Sequence, residues 1–154
     1  MVKKTYNQKL HDSNGLPKIV DLSDKPGFVE HYGVTTMLVA APMQFNEIMA
    51  KVPEGKIITT DRIRDYLAKQ ANAGITCTLT AGLFINTCAH ASEERDSDQI
   101  PYWRTVKAKG ELNEKYPDGI DGQRMHLEME GHEIIQKGKR YFVKDYQDKL
   151  WEIE

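Results

Sequence analysis

Apolar positions Phe45, Ile48, Met49 and Val52 follow the period of a helix, with polar residues between them, which predicts an amphipathic helix from Pro42 to about Val52. Proline suits the first helical position, where its missing N–H would be unpaired anyway, and Pro53-Glu54-Gly55 ends the run. A short β-prone segment, Lys56-Ile57-Ile58-Thr59-Thr60, leads into a second helix from Asp61 to about Asn72 that buries Ile63, Tyr66 and Leu67. Ala73-Gly74 supplies a turn, and a third helix follows from about Thr76 to Ala91. Two helices joined by a short glycine-containing turn predict a helix-turn-helix, the second helix standing in the recognition position. From Ile75 to Ala91 there is no lysine or arginine, and Cys77, Leu79, Leu83, Phe84 and Cys88 make this helix apolar on more than one side, which predicts substantial burial.

Elsewhere the pattern is shorter. Up to about Tyr32 charge, Gly and Pro mix without a clear period; Asn14-Gly15 and Lys25-Pro26-Gly27 are turn signals, and Ile19-Val20-Asp21-Leu22 reads as a short strand. Thr35 to Ala41 is a compact apolar run, a strand or a buried extended segment. We divide the chain into an N-terminal extension, 1–40, and one domain, 41–154. After the third helix, Ser92 to Asp98 is mostly acidic and reads as a solvated loop. Val106 to Leu112 reads as a β-ribbon, the wing of the helix-turn-helix, with Lys107 and Lys109 on one face. Tyr116-Pro117-Asp118-Gly119 is a turn, Asp121 to Glu130 a short helix with Met125 and Met129 on one face, and Ile134 to Val143 a hairpin about Gly138. Trp151 pins the tail to the core. The fold class is α+β and predominantly helical: a winged helix-turn-helix domain with short β-hairpins and an N-terminal extension.

Composition narrows the function classes only a little. A chain of 154 residues, 40% hydrophobic and 29% charged, suits one domain with its own core. No apolar run approaches a membrane span, and Met1 to Tyr6 lacks the apolar core of a signal peptide, which points to a cytoplasmic protein without a membrane partner. Cys77 and Cys88 read as buried, reduced thiols; neither has a His or Cys at ligand spacing, so no metal and no cofactor is expected. A net charge of -2 argues weakly against a nucleic-acid partner, because neutralising phosphates supplies most non-specific affinity.

The segment Pro101-Tyr102-Trp103-Arg104-Thr105-Val106 changes that picture. It resembles the reactive segment, Pro-Cys-His-Arg-Val, of the 6-O-alkylguanine-DNA alkyltransferase family: Pro101, Arg104 and a following valine, Val106, keep its outline. Tyr102 stands at the acceptor cysteine and Trp103 at its histidine. Val52-Pro53-Glu54-Gly55-Lys56-Ile57, Ala81-Gly82, Gly110 and Glu130-Gly131-His132 come in family order. The tail from Gly138 through Tyr146 to Trp151 is most similar to the alkyltransferase-like proteins, which lack the acceptor cysteine and bind alkylated bases without repairing them. The resemblance runs from about Met43 to Trp151 and leaves the extension unexplained.

It implies a non-catalytic protein that recognises 6-O-alkylguanine or other modified bases in double-stranded DNA by nucleotide flipping, and flags them to a repair-pathway protein. Alkyl transfer needs an activated thiolate, and a phenol with a pKa near ~10 is a poor substitute, so no catalytic residue is assigned. The implied binding set places Tyr102, Trp103 and Tyr116 around the extruded base and Arg104 in their loop. Thr60 replaces a tyrosine that rotates the target phosphate, Thr78 the intercalating arginine, and Asn86 keeps a hinge asparagine; Lys107 and Lys109 reach phosphate. Each position also has a plainer role. Tyr102 and Trp103 can fill the space of the lost Cys-His pair, Arg104 can hold its loop through backbone carbonyls, Tyr116 can be a turn residue, and the lysines can guard a strand edge. Glu130 supports the reactive histidine in the family and is expected here to make a structural hydrogen bond, while His126 and His132 read as surface or capping residues. The alternative function is a diverged winged-helix module for protein–protein interaction that has lost DNA binding, favoured by the uncharged third helix, the acidic segment after it and the negative net charge.

Overall fold

The computed structural model describes residues 3–153. Its first helix, α1 (Tyr6–His11), is short and closed by a capping box: the Thr5 hydroxyl accepts from the Gln8 N–H and the Gln8 side chain accepts from the Thr5 N–H. β1 (Lys18–Asp21), α2 (Pro26–Tyr32) and β2 (Thr36–Val39) follow, and β1 pairs antiparallel with β2, Ile19 opposite Leu38. α3 (Pro42–Lys51) starts on its proline, β3 is Ile58–Thr59, α4 is Thr60–Gln70, and β4 (Ile75–Thr76) joins β2 in parallel. α5 (Thr78–Glu94) is the longest helix described. β5 (Thr105–Val106) pairs in parallel with β3, α6 spans Gly119–Met129, and β6 (Ile134–Lys137) and β7 (Arg140–Val143) form a hairpin with Ile134 opposite Val143.

Two cores result. In the larger, Phe45 and Met49 of α3 meet Ile63 and Leu67 of α4 and Ala81, Ile85 and Cys88 of α5. Leu10 and Leu38 belong to it as well, so the extension contributes to the same core as the rest of the chain. The smaller core gathers Ile57, Val106, Leu112, Leu127, Ile134 and Val143. Trp103 packs against both. At the C-terminus the Trp151 N–H donates to the Ile57 carbonyl at 2.7 Å, and its ring packs on the larger core, as its position near the terminus predicts.

Three expectations change. Val106 to Leu112 is not a β-ribbon: after β5 the chain makes a 3-10 turn over Ala108–Gly110, closed by the Lys107 N–H on the Glu111 carbonyl. Gly110 sits at φ 84 against Tyr146, where a Cβ would lie 2.7 Å from the tyrosine's own, and this close approach bends the strand away. The acidic loop begins later than predicted, because Ser92, Glu93 and Glu94 complete α5. Nor is α5 buried on all sides. Ala81, Ile85, Cys88 and Ala89 face inward, whereas Leu79 and Leu83 are 82% and 62% exposed, because small inward residues already satisfy the packing. Among the described residues no helix is long and apolar enough to cross a membrane.

Candidate nucleic-acid interface

Helical spacing sets one side of a groove between α4 and α5. Thr60 and Arg64 lie one turn apart on α4 and therefore share a face. Across from them are Gly82, Ile85 and Asn86 of α5, and Lys107, Asn113 and Lys115 close the far end. The groove's volume is 180 Å³, too little to enclose a drug-sized molecule and suited to a chain running across it. Its floor is fixed by polar bonds: the Asn113 side chain donates to Asn86 at 2.8 Å and accepts the Lys115 N–H at 2.9 Å. Gln123, fully buried, accepts the Asn113 N–H at 2.6 Å and donates to the Trp103 carbonyl at 3.0 Å, tying the groove to the segment behind it.

That segment is closed. Tyr102 donates its hydroxyl to Glu93 at 2.8 Å, Tyr116 donates to the Thr105 carbonyl at 2.8 Å, and both residues are 3% exposed. Their rings meet edge-on at 5.3 Å, as do those of Tyr102 and Trp103. Burial first, then the accepting Glu93 carboxylate, pushes the Tyr102 phenol above its ordinary value; burial does the same to Tyr116. Trp103 stacks on His126 at 4.0 Å and donates its indole N–H to Glu130 at 3.0 Å. Arg104 grips the same carboxylate through Nε and Nη2, the latter at 2.6 Å, and donates Nη1 to the Val52 carbonyl. Burial alone would raise the Glu130 pKa, but the Arg104 and Trp103 hydrogen bonds outweigh it and hold the carboxyl below its usual range.

The thiols separate as sharply. Burial pushes Cys88 up to about 12. Cys77 precedes α5 instead of lying within it and is partly exposed. Burial is the largest single influence on it and raises its pKa, yet the nearby Thr80 hydroxyl and the Thr80 and Leu79 N–H groups together bring it below the ordinary thiol value. Among the described residues no group of three or more His, Cys, Asp or Glu side chains is placed to hold a metal ion.

No family model matches the sequence, and no curated protein matches it. Solved structures do. The chain is similar to the crystal structure of S. pombe Atl1 in complex with damaged DNA containing O6-carboxymethylguanine, with a TM-score of 0.53 and 18% identity over 73% of this chain and 94% of that one. It is similar also to S. pombe ATL in complex with DNA, with a TM-score of 0.54 and 19% identity over the same shares. The fold is that of these structures. At such identity the likeness is one of architecture.

Within this fold, the residues singled out from the sequence divide into groups. Thr60, Asn86 and Lys107 line one groove, and Thr78 is exposed at the start of α5. Lys109 does not share a face with Lys107: it lines a separate depression with Asp61, Arg62 and Tyr146, because the 3-10 turn rotates it away. Tyr102, Trp103 and Tyr116 do come together, but as a packed cluster with both phenol hydroxyls engaged, and the open base pocket is not formed in this conformation. Arg104 is a clamp on Glu130 and Val52, its guanidinium engaged by a carboxylate and a carbonyl. Arg64 and Lys115 were missed. Arg64 was within reach, one helical turn from Thr60; Lys115 follows a loop with no period to read.

Proposed function

We propose that the chain is a non-catalytic DNA-binding protein that recognises 6-O-alkylguanine or another modified base in duplex DNA and marks it for a repair protein. The observation that carries this is the groove along α5: on a fold whose solved neighbours hold DNA, it presents Arg64, Lys107 and Lys115 and no carboxylate. A chain of net charge -2 has thus gathered cations where a phosphate backbone would run. Thr60 and Asn86 supply uncharged hydrogen-bonding groups between them, and Gly82 keeps the middle of the helix face free of a side chain.

The non-catalytic reading is supported by the chemistry of the cluster: at the position that the resemblance gives to the acceptor stands Tyr102, a phenol whose ionisation burial opposes, and Cys88 is sealed, which leaves Cys77 as the partly exposed thiol. Extrusion of a base toward Tyr102, Trp103 and Tyr116 requires that cluster to open, with the Tyr102 hydroxyl leaving Glu93. Lesion preference is then set by aromatic stacking.

The test is a titration of a short duplex with and without one 6-O-methylguanine, at two salt concentrations. Salt-sensitive binding, tighter to the lesion, with the preference lost in Tyr102→Ala, supports the role. No binding at low salt would turn attention to the second reading, a protein-docking module, which the exposed Leu79 and Leu83 on α5 favour.

A further inference from the structure

A second concavity, of 480 Å³, lies between α1 and α5. Tyr6 and Lys9 form its outer wall, Leu83, Phe84 and His90 its floor, and it shares Asn86 and Lys115 with the α4–α5 groove. The two depressions therefore make one continuous track along the outer face of α5. Four cations line that track, Arg64 and Lys107 at one end, Lys115 at the junction and Lys9 at the other. No carboxylate lines either part, and none of the four cations is engaged in an ion pair among the described residues. From Gly82 to His90 the track follows α5 for about 12 Å, about three to four base-pair steps of duplex at 3.4 Å each.

The wall is held firmly. The Tyr6 and Asn7 N–H groups both donate to the Glu94 carboxylate at 3.0 Å, the Asn7 side chain donates to the Ala91 carbonyl at 2.9 Å, and Arg95 donates to Asn7 at 2.8 Å. These bonds engage the acid at the end of α5. The Tyr6 ring stacks on His90 at 4.7 Å, the Lys9 ammonium lies 5.1 Å from the Tyr6 ring centre, and the other edge of His90 meets the Lys115 carbonyl at 2.8 Å. The apolar side chains of Leu83 and Phe84 with a cation at each rim fit a sugar–phosphate backbone, sugars on Leu83 and Phe84 and phosphates on Lys9 and Lys115.

We infer that α1 extends the DNA interface, and that Lys9 and Tyr6 hold the backbone beyond the part of the duplex lying in the α4–α5 groove. The inference rests on the DNA-binding role proposed above and gives the N-terminal extension a function. The solved neighbours leave about a quarter of the chain unmatched, a share equal in size to that extension.

Full-length protein, wild type and Lys9→Gln, would be titrated over a salt series with a short duplex filling the α4–α5 groove and with one extended by several base pairs at either end. Lys9 is an exposed side chain outside the core, so the variant keeps its fold, as circular dichroism would verify. The expected result is a loss of about three- to tenfold on the extended duplex with a salt slope lower by about one, and little change on the short duplex. Lys9→Glu should deepen the same loss. If Lys9→Gln and Lys9→Glu match wild type on the extended duplex while Arg64→Gln weakens both duplexes, α1 lies off the DNA and the inference falls while the DNA-binding role stands. Free deoxyguanosine monophosphate binding that depends on Lys9, with duplex affinity unchanged by the variants, would assign the concavity to a small anion and overturn it too. Failure of wild type to bind any duplex would remove both.

Discussion

The groove along α5 and the aromatic cluster behind it share a scaffold, since Gln123 bonds to both, yet one leaves its polar groups open and the other engages them. Arg64, Lys107 and Lys115 line the groove without an ion-pair partner among the described residues. Arg104, of the same sign, is 14% exposed and bound to a carboxylate and a carbonyl. The lesson is that residue type did not determine role; satisfaction did. A guanidinium already holding Glu130 has little left to offer a phosphate, and an unpaired one four residues into a helix has everything to offer.

Breaking the cluster should have the largest effect. Glu130→Ala strands the Arg104 guanidinium in a poorly hydrated site, and a loss of about 3–5 kcal/mol in denaturant unfolding is expected. The groove should answer in affinity instead of stability. Arg64→Ala with Lys107→Ala should leave the melting temperature within a degree or two yet lower duplex affinity about tenfold or more, on damaged and undamaged DNA alike, with a salt slope reduced by about two. Tyr102→Phe removes one hydrogen bond whose acceptor, Glu93, lies on the exposed side of α5, so the cost should be about 1 kcal/mol or less.

The smallest effect comes from pH. His132 is 5% exposed, with neither ring nitrogen bonded among the described residues. Burial chiefly, then Lys149 and Arg104 against the opposing Glu130, lowers its pKa below the usual 6.5. The unfolded chain therefore takes up a proton first as pH falls, so this contribution to stability is full above about pH 6.5 and declines below it. A stability profile from pH 7.5 to 5.5 should fall toward acid in wild type, and that component of the slope should vanish in His132→Leu.

Much of this architecture is legible from residue patterns, and the failures share a cause. α3 and α4, the C-terminal hairpin and the anchoring of Trp151 follow from local periodicity and from the terminal tryptophan. The wing at Val106 to Leu112 fails because its course depends on Gly110 meeting Tyr146, a contact between residues distant in sequence. The orientation of α5 fails because apolar residues occupy several of its sides, and no period says which side the core will take. Its end matters most for the site. With Ser92 to Glu94 read as loop, nothing placed Glu93 within reach of Tyr102, so the closure of the cluster was invisible. Thr60, Asn86 and Lys107 converge on one groove from three stretches distant in sequence, a tertiary relation that composition and charge cannot report.

Trp103 touches both cores, and among the described residues the two share no other side chain. Its indole N–H is fixed by Glu130, its ring by His126 and its carbonyl by Gln123, so the indole cannot shift without disturbing each of them. In folding, such a residue acts as the coupling between two cooperative units. With it in place the chain is expected to melt as one body; trimmed to alanine, the α6 and hairpin half would be free to open at a lower temperature than the half that carries α5.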